Sequence, residues 1–298
     1  MIIKTDVVNI RDPFVLVKDG VYYMYGTDVT TGDWDDTDWV CYKNESGRLD
    51  AGWERLENLH IRPSTAEKNL WSPEVHEYKG SYYMICTYFS SEKCRRGCTV
   101  MRSSSPAGPF SEISDGFVTE SVYPFDAIDG TLYVDENAQP WLVFVNEWTQ
   151  TDDKIGRMSA VRLSDDLSTC VGEMTELFRA DDASWSGAQV TDGCFMYKTA
   201  EGKLLMLWSN LDKDGGYCVG IAESENGKIV GKWCQNDELL FARSLTGELD
   251  GGHSMIFKAL DGKKYLALHS PNKPEGGLTE TAVFVPVYEK NGTLVCEI

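Results

Sequence analysis

Short apolar runs, alternating or continuous, recur along the whole chain and are broken every few residues by Gly, Asp or Asn; no long stretch keeps the 3.6-residue rhythm of an amphipathic helix. The pattern predicts β-structure made of short strands. Five segments share one layout: a small or charged pair, an apolar run, a polar turn and a second, aromatic-rich run. They are Arg11–Val17 with Val21–Tyr25, Ser72–Tyr78 with Tyr82–Cys86, Asp129–Val134 with Pro140–Val145, Asp192–Tyr197 with Leu204–Trp208, and Gly252–Phe257 with Lys264–His269. Their starts fall at residues 12, 72, 129, 192 and 252, steps of 60, 57, 63 and 60.

Each hairpin is followed by further strand-like runs, such as Thr99–Ser103 and Val219–Ser224, giving about four strands per repeat. That is the content of a propeller blade, so the expected fold is an all-β, five-bladed β-propeller. Five blades use the whole chain, and residues 1–298 are expected to form one domain. Residues 2–8 and 293–298 are the expected pair that closes the ring. In a propeller the first strand of each blade lines the axis, so equivalent positions converge on one mouth. Here those positions carry Asp12, Ser72 with Glu74, Asp129, Asp192 and His253. Carboxylates facing an axis must be solvated or paired; three at equivalent places point to chemistry, against the plainer reading of each as a turn cap.

Charge narrows the partners. With 28 Lys+Arg against 47 Asp+Glu, the net charge of −19 repels phosphate backbones, so nucleic acid is excluded as a partner and a neutral ligand is favoured. No run reaches the roughly 18–20 apolar residues of a membrane span. The segment from Met1 lacks a basic region followed by an apolar run, so a cytoplasmic location is expected. The nine cysteines are mostly scattered singly and read as free thiols. Cys94 and Cys98 alone are closely spaced, and no second pair or histidine accompanies them as a zinc site would require.

The residues at the repeat starts resemble glycoside hydrolase family 43, the arabinanase, arabinofuranosidase and β-xylosidase family of five-bladed propellers. Arg11-Asp12-Pro13 is similar to the family's opening strand with its general base. Trp71–His76 resembles the second-blade signature, and Asp129–Asp135 the stretch whose aspartate tunes the acid. Gly251–Phe257, with Leu268–Asn272, resembles the fifth-blade segment whose histidine points to an axial metal. One position departs: the family's acid is usually Glu in a Glu-Gly-Pro turn, and this chain has Asp192-Gly193-Cys194.

The resemblance implies an inverting glycosidase acting on arabinose- or xylose-containing oligosaccharides, with exo-acting arabinofuranosidase or xylosidase preferred. Asp12 would deprotonate water, Asp192 would protonate the leaving oxygen, and Asp129 would stay ionised and keep Asp192 protonated. Arg11, Trp71, Glu74 and Trp148 are the substrate-binding candidates. His253 is the metal candidate, reaching an axial calcium directly or through water. Arg11 and Glu74 are placed either on the sugar or on one another, and His76 shares a strand face with Glu74. The acidic loop 28–39 is expected to be solvated or, alternatively, to wall off one end of the site. Three other readings stand beside this one: a glycoside phosphorylase, a sugar-binding propeller with a degenerate acid, and a protein-interaction propeller.

Overall fold

The computed structural model describes residues 1–271 and 280–298. Its strands are β1 (Ile3–Val8), β2 (Ile10–Lys18), β3 (Val21–Asp28), β4 (Asp38–Asn44), β5 (Glu54–Arg55), β6 (Ala66–Tyr78), β7 (Ser81–Ser90), β8 (Arg95–Ser103), β9 (Ser111–Glu112), β10 (Ala127–Val134) and β11 (Pro140–Asn146). They continue with β12 (Arg157–Leu163), β13 (Cys170–Arg179), β14 (Asp192–Lys198), β15 (Leu204–Leu211), β16 (Tyr217–Ser224), β17 (Trp233–Gln235), β18 (Gly252–Lys258), β19 (Lys264–Ser270), β20 (Thr281–Lys290) and β21 (Thr293–Cys296). Helix is confined, among the described residues, to short turns such as Arg243–Thr246. Among the described residues no helix is long and apolar enough to cross a membrane.

Five antiparallel sheets form the blades: β2–β5, β6–β9, β10–β13, β14–β17, and β18–β20 with β1 and β21. All five repeat hairpins appear as the two inner strands of a blade, which is the propeller predicted from the sequence. Closure differs from expectation. The segments around β1 and β21 do not pair with one another; each pairs with β20, β1 at Val283 and Phe284 and β21 along Val287–Lys290. A single long strand thus takes both as its outer neighbour.

The blades are held face to face by apolar layers. Trp39, Tyr25 and Tyr88 are fully buried where blades 1 and 2 meet, Phe144 and Ile85 between blades 2 and 3, Trp208 and Phe178 between blades 3 and 4. Truncating one such aromatic costs about 3–5 kcal/mol.

The register of every inner hairpin slips at an equivalent place: between Arg11 and Phe14, Trp71 and Glu74, Ile128 and Thr131, Asp192 and Phe195, and Gly252 and Met255, with two further slips earlier in β6. A residue of positive φ sits at each slip: Asp12 (55°), Ser72 (43°), Asp129 (54°), Gly193 (40°) and His253 (51°). The true repeat position in blade 4 is therefore Gly193. Asp192 stands one residue ahead of it, equivalent to Arg11, Trp71, Ile128 and Gly252. A left-handed residue other than Gly costs of order 1–3 kcal/mol and persists only where its surroundings require it.

The requirement here is a set of blade-to-blade joints. In four of the five blades the N–H of the bulge residue donates to a side chain on the second strand of the preceding blade. Ser72 donates to Thr27 Oγ1 (2.8 Å), Asp129 to Thr87 Oγ1 (3.1 Å), His253 to Ser209 Oγ (2.9 Å), and Asp12 to His269 Nδ1 (3.2 Å). These acceptors pair across their hairpins with the residue just before each bulge. In blade 3 the equivalent residue, opposite Ile128, is Val145, which has no acceptor. There Gly193 N–H donates instead to the carboxylate Oδ2 of Asp129, at 3.2 Å.

Candidate active site

The bulges bring Asp12, Asp129 and His253 to one mouth, with Asp192 beside them, around a cavity of about 300 Å³. Arg11, Trp71 and Trp148 also line it. Glu74 does not: two residues beyond its bulge, it is buried lower on β6 and bonds His76 Nε2 at 3.1 Å. Arg11 meets Glu280 rather than Glu74, at 2.5 Å. His76 and Glu74 do share a face, as strand alternation requires.

His253 lies at the centre of the charges. Its Nδ1 is 3.2 Å from Asp12 Oδ1 and 3.9 Å from Asp129 Oδ2. Burial disfavours its charged form, but Asp12, Asp129, Asp192 and Glu74 together outweigh burial, so His253 is raised above an ordinary histidine. Only glycine fits opposite it, because a Cβ at Gly193 would come within 2.6 Å of the imidazole Cγ. Asp12 accepts from Thr27 Oγ1 at 2.7 Å through Oδ2, and His269 Nδ1 is 3.5 Å from its Oδ1.

Asp129 and Asp192 are buried side by side, and their partners push the two carboxyl groups in opposite directions. For Asp192, burial is the largest effect and the adjacent Asp129 charge the next; both hold it well above the usual carboxylate range, against smaller opposing effects of His253 and Tyr217. Asp129 is buried too. His253 outweighs burial together with hydrogen bonds from Asp192, Ser72 Oγ (2.6 Å) and Gly193 N–H, and holds Asp129 below the usual range. The result is an Asp129 that ionises readily next to an Asp192 that resists ionisation.

Two arginines lie over indole rings on one side of the mouth. Arg11 is 4.6 Å from the Trp34 ring centre and Arg96 5.0 Å from that of Trp71, while the two indoles meet edge to face at 5.9 Å. Arg96 is itself bonded to Asp126 (2.7 Å) and lies 3.6 Å from Glu147. Trp34, Arg96, Glu147 and Tyr217 were missing from the sequence-based site. Trp34 belongs to the acidic loop, which proves to be partly wall: Trp34 O accepts from Asn69 Nδ2 and Trp71 Nε1, and Asp35 binds Lys68. Its other acids remain largely at the surface.

An axial cation would find one nitrogen of His253 and one oxygen each of Asp129 and Asp192 within 4.8 Å of one another. Both Asp129 oxygens already accept hydrogen bonds and Asp192 keeps its proton, so this donor set fits an oxygen-seeking cation through water rather than by direct ligation. Cys94 and Cys98 do not pair: all nine cysteines are free, Cys94 exposed and Cys98 buried. Of the Leu268–Asn272 stretch, Asn272 lies outside the described residues.

A five-bladed propeller with a protonated and two further carboxyl groups at its mouth is the architecture of a carbohydrate-cleaving class. The comparison with known proteins is specific: residues 6–294 match the family described as Glycosyl hydrolases family 43, and the chain belongs to that family. The crystal structure of an endo-arabinase from Bacteroides thetaiotaomicron VPI-5482 is similar over 98% of both chains, with 35% identity and a TM-score of 0.83. A "Probable arabinan endo-1,5-alpha-L-arabinosidase C" of Aspergillus niger (strain ATCC MYA-4892 / CBS 513.88 / FGSC A1513) is 26% identical over 236 residues, 74% of this chain; the match spans 64% of that relative's length. An endo-1,4-beta-xylanase structure from the same Bacteroides strain shares the fold, with a TM-score of 0.80, 22% identity, and coverage of 99% of this chain and 97% of that one.

Proposed function

We propose that the protein is an inverting glycosidase of arabinose-containing oligosaccharides, in which Asp12 is the base, Asp192 the acid, and Asp129 the charge that keeps the acid's proton in place. The observation that carries this is the buried carboxyl pair at the mouth, with Asp192 held high and Asp129 low, and Asp12 across His253. In the reaction, Asp12 takes a proton from water as its oxygen bonds the anomeric carbon. Asp192 gives its proton to the leaving oxygen as the glycosidic bond breaks. Both groups sit on rigid inner strands, so their separation is set by the fold. A calcium ion, held by His253 through water, would when bound add positive charge near the carboxylates.

The names of the similar proteins favour arabinan over xylan, and internal over terminal cleavage. We take that reading over the exo action expected from sequence. Phosphorolysis is disfavoured because the cations lining the mouth already face carboxylates: Arg11 Glu280, Arg96 Asp126 and Glu147, and His253 Asp12 and Asp129. The raised, protonated Asp192 speaks against a binding relic.

The test is hydrolysis of linear arabinan and p-nitrophenyl α-L-arabinofuranoside by wild type and Asp12→Ala. We expect mixed arabino-oligosaccharides from arabinan and a loss of about 10²–10⁴-fold in the variant. Arabinose as sole product would instead mark exo action, and no release from arabinan, xylan or the aryl sugar would refute the reading. Because the acid must carry its proton, activity should fall as the pH rises through the elevated pKa of Asp192, above the ordinary carboxylate range. A pH profile of kcat/KM on arabinotriose checks this, and Asp192→Asn should abolish that limb.

A further inference from the structure

We infer that Tyr217 is the positioning residue of the acid: its hydroxyl occupies one carboxyl oxygen of Asp192, so the proton departs from the other. This rests on the acid role proposed for Asp192. Tyr217 opens β16, the third strand of blade 4, and its buried hydroxyl donates to Asp192 Oδ2 at 2.7 Å. With Oδ2 engaged as an acceptor, the acid's own proton belongs on Oδ1.

The need for such a partner follows from the residue type. Aspartate is one methylene shorter than glutamate and cannot search for the leaving oxygen by flexing a longer stem. The torsion of its carboxyl is soft and roughly two-fold, so without an anchor the proton-bearing oxygen turns away as readily as toward the substrate. One donor fixed at 2.7 Å removes that freedom. In the reaction the Oδ1–H bond breaks, the proton joins the leaving oxygen, and Tyr217 keeps its own proton. The hydroxyl then goes on donating to the newly formed carboxylate, which must form beside the charge of Asp129.

The ring is held in place from several sides. It stacks on His269, with centroids 5.4 Å apart and planes 26° from parallel. That imidazole in turn accepts the backbone N–H of Asp12. The Tyr217 carbonyl accepts from Gly251 N–H at 3.0 Å. On its edge lies Gly252, where a Cβ would come within 2.5 Å of Cε1, so any side chain there would displace the ring. Residue 252 is thus glycine on account of Tyr217 and of Ser209, whose Oγ a Cβ would approach to 2.7 Å, and the Tyr217 ring touches both the acid and the imidazole that carries the base's backbone.

The experiment compares Tyr217→Phe and Gly252→Ala with wild type on arabinotriose, a poor leaving group that needs the acid, and on p-nitrophenyl α-L-arabinofuranoside, which needs it little. For both variants we expect kcat on arabinotriose to fall about tenfold or more beyond any fall on the aryl sugar, roughly the worth of one hydrogen bond to a charged group, with KM little changed. Equal losses on the two substrates, or none on arabinotriose, would overturn the inference while leaving the glycosidase reading intact. A wild type inactive on both would overturn the reading and the inference together. Should Tyr217→Phe fold poorly, Gly252→Ala is compared with Ser209→Ala, which loosens the same joint but leaves Tyr217 its hydroxyl: a selective loss on arabinotriose in Gly252→Ala alone supports the inference, and the same loss in both overturns it.

Discussion

Four of the five blade joints and the joint between blades 3 and 4 solve the same problem differently. Thr27, Thr87, Ser209 and His269 each accept the N–H of the next blade's bulge. At the remaining joint Val145 offers nothing, and Asp129 accepts Gly193 N–H with its own carboxylate. The first four are parts of the scaffold that also aim a side chain at the mouth. The fifth makes a functional carboxylate into a structural fastener. Stability and chemistry should therefore be separable around most of the ring and bound together at Asp129. The hydrogen bond it receives from Gly193 also helps keep Asp129 ionised, so the fastening and the asymmetry of the proton-sharing pair are one feature.

The largest effect expected of this difference is at Asp129 itself. Asp129→Asn keeps an oxygen for Gly193 N–H but removes the charge, whereas Asp129→Ala removes both. Both variants should lose about 10²-fold or more of activity on arabinotriose, since the acid's proton is no longer held in place. In urea or thermal denaturation the alanine variant should be less stable than the asparagine one by about 1–3 kcal/mol, the cost of a buried N–H left without its acceptor. Equal stability of the two would mean that the joint contributes nothing.

A smaller effect separates two joints of similar geometry. Thr27 Oγ1 both accepts from Ser72 N–H and donates to Asp12 Oδ2, while Thr87 Oγ1 accepts the Asp129 backbone N–H. Thr27→Val and Thr87→Val should each lose about 1–3 kcal/mol of stability. Only Thr27→Val should also lose about tenfold in kcat/KM, because Asp12 then lacks the donor that orients it. A matching loss of activity in Thr87→Val would show that any loosened joint disables the site.

The repeat itself was legible in the sequence because hairpins with strong apolar alternation recur at nearly constant steps, and a propeller sends equivalent residues to one place. Asp12, Asp129 and His253 were found that way. The offset at Asp192 was not, since the hydrophobic pattern is blind to backbone sign: Gly193, not its neighbour, takes the positive φ of the bulge. Glu74 lies off the cavity for a related reason, as it follows the slip between Trp71 and Glu74, which turns Ser72 to the mouth and leaves Glu74 on the strand below. Trp34, Arg96 and Tyr217 come from loops and third strands, whose approach to the axis is decided by blade packing rather than by any local period. The pairing of β1 and β21 with β20 was equally hidden, because two strands that share a partner look alike in sequence to two that pair together.

The smallest predicted effect asks whether the odd joint can be made like the others. Val145 is fully buried and occupies the register position that Thr27 and Thr87 hold in their blades. Burying a hydroxyl without a partner costs about 1–3 kcal/mol, which is why Val→Thr in a core is seldom neutral. At residue 145 the new hydroxyl would lie where the other joints place theirs, within reach of Gly193 N–H, so that cost should be largely offset. Val143, two residues earlier on the same face and equally buried, is not at the joint's register position, and the neighbouring Cys194 thiol donates to its carbonyl. Val145→Thr should thus be less than about 1 kcal/mol less stable than wild type in urea denaturation, and Val143→Thr about 1–3 kcal/mol less stable. If the two are equally destabilised, the joint geometry of blades 1 and 2 does not extend to blade 3, and Asp129 is the fastener there because nothing else can be.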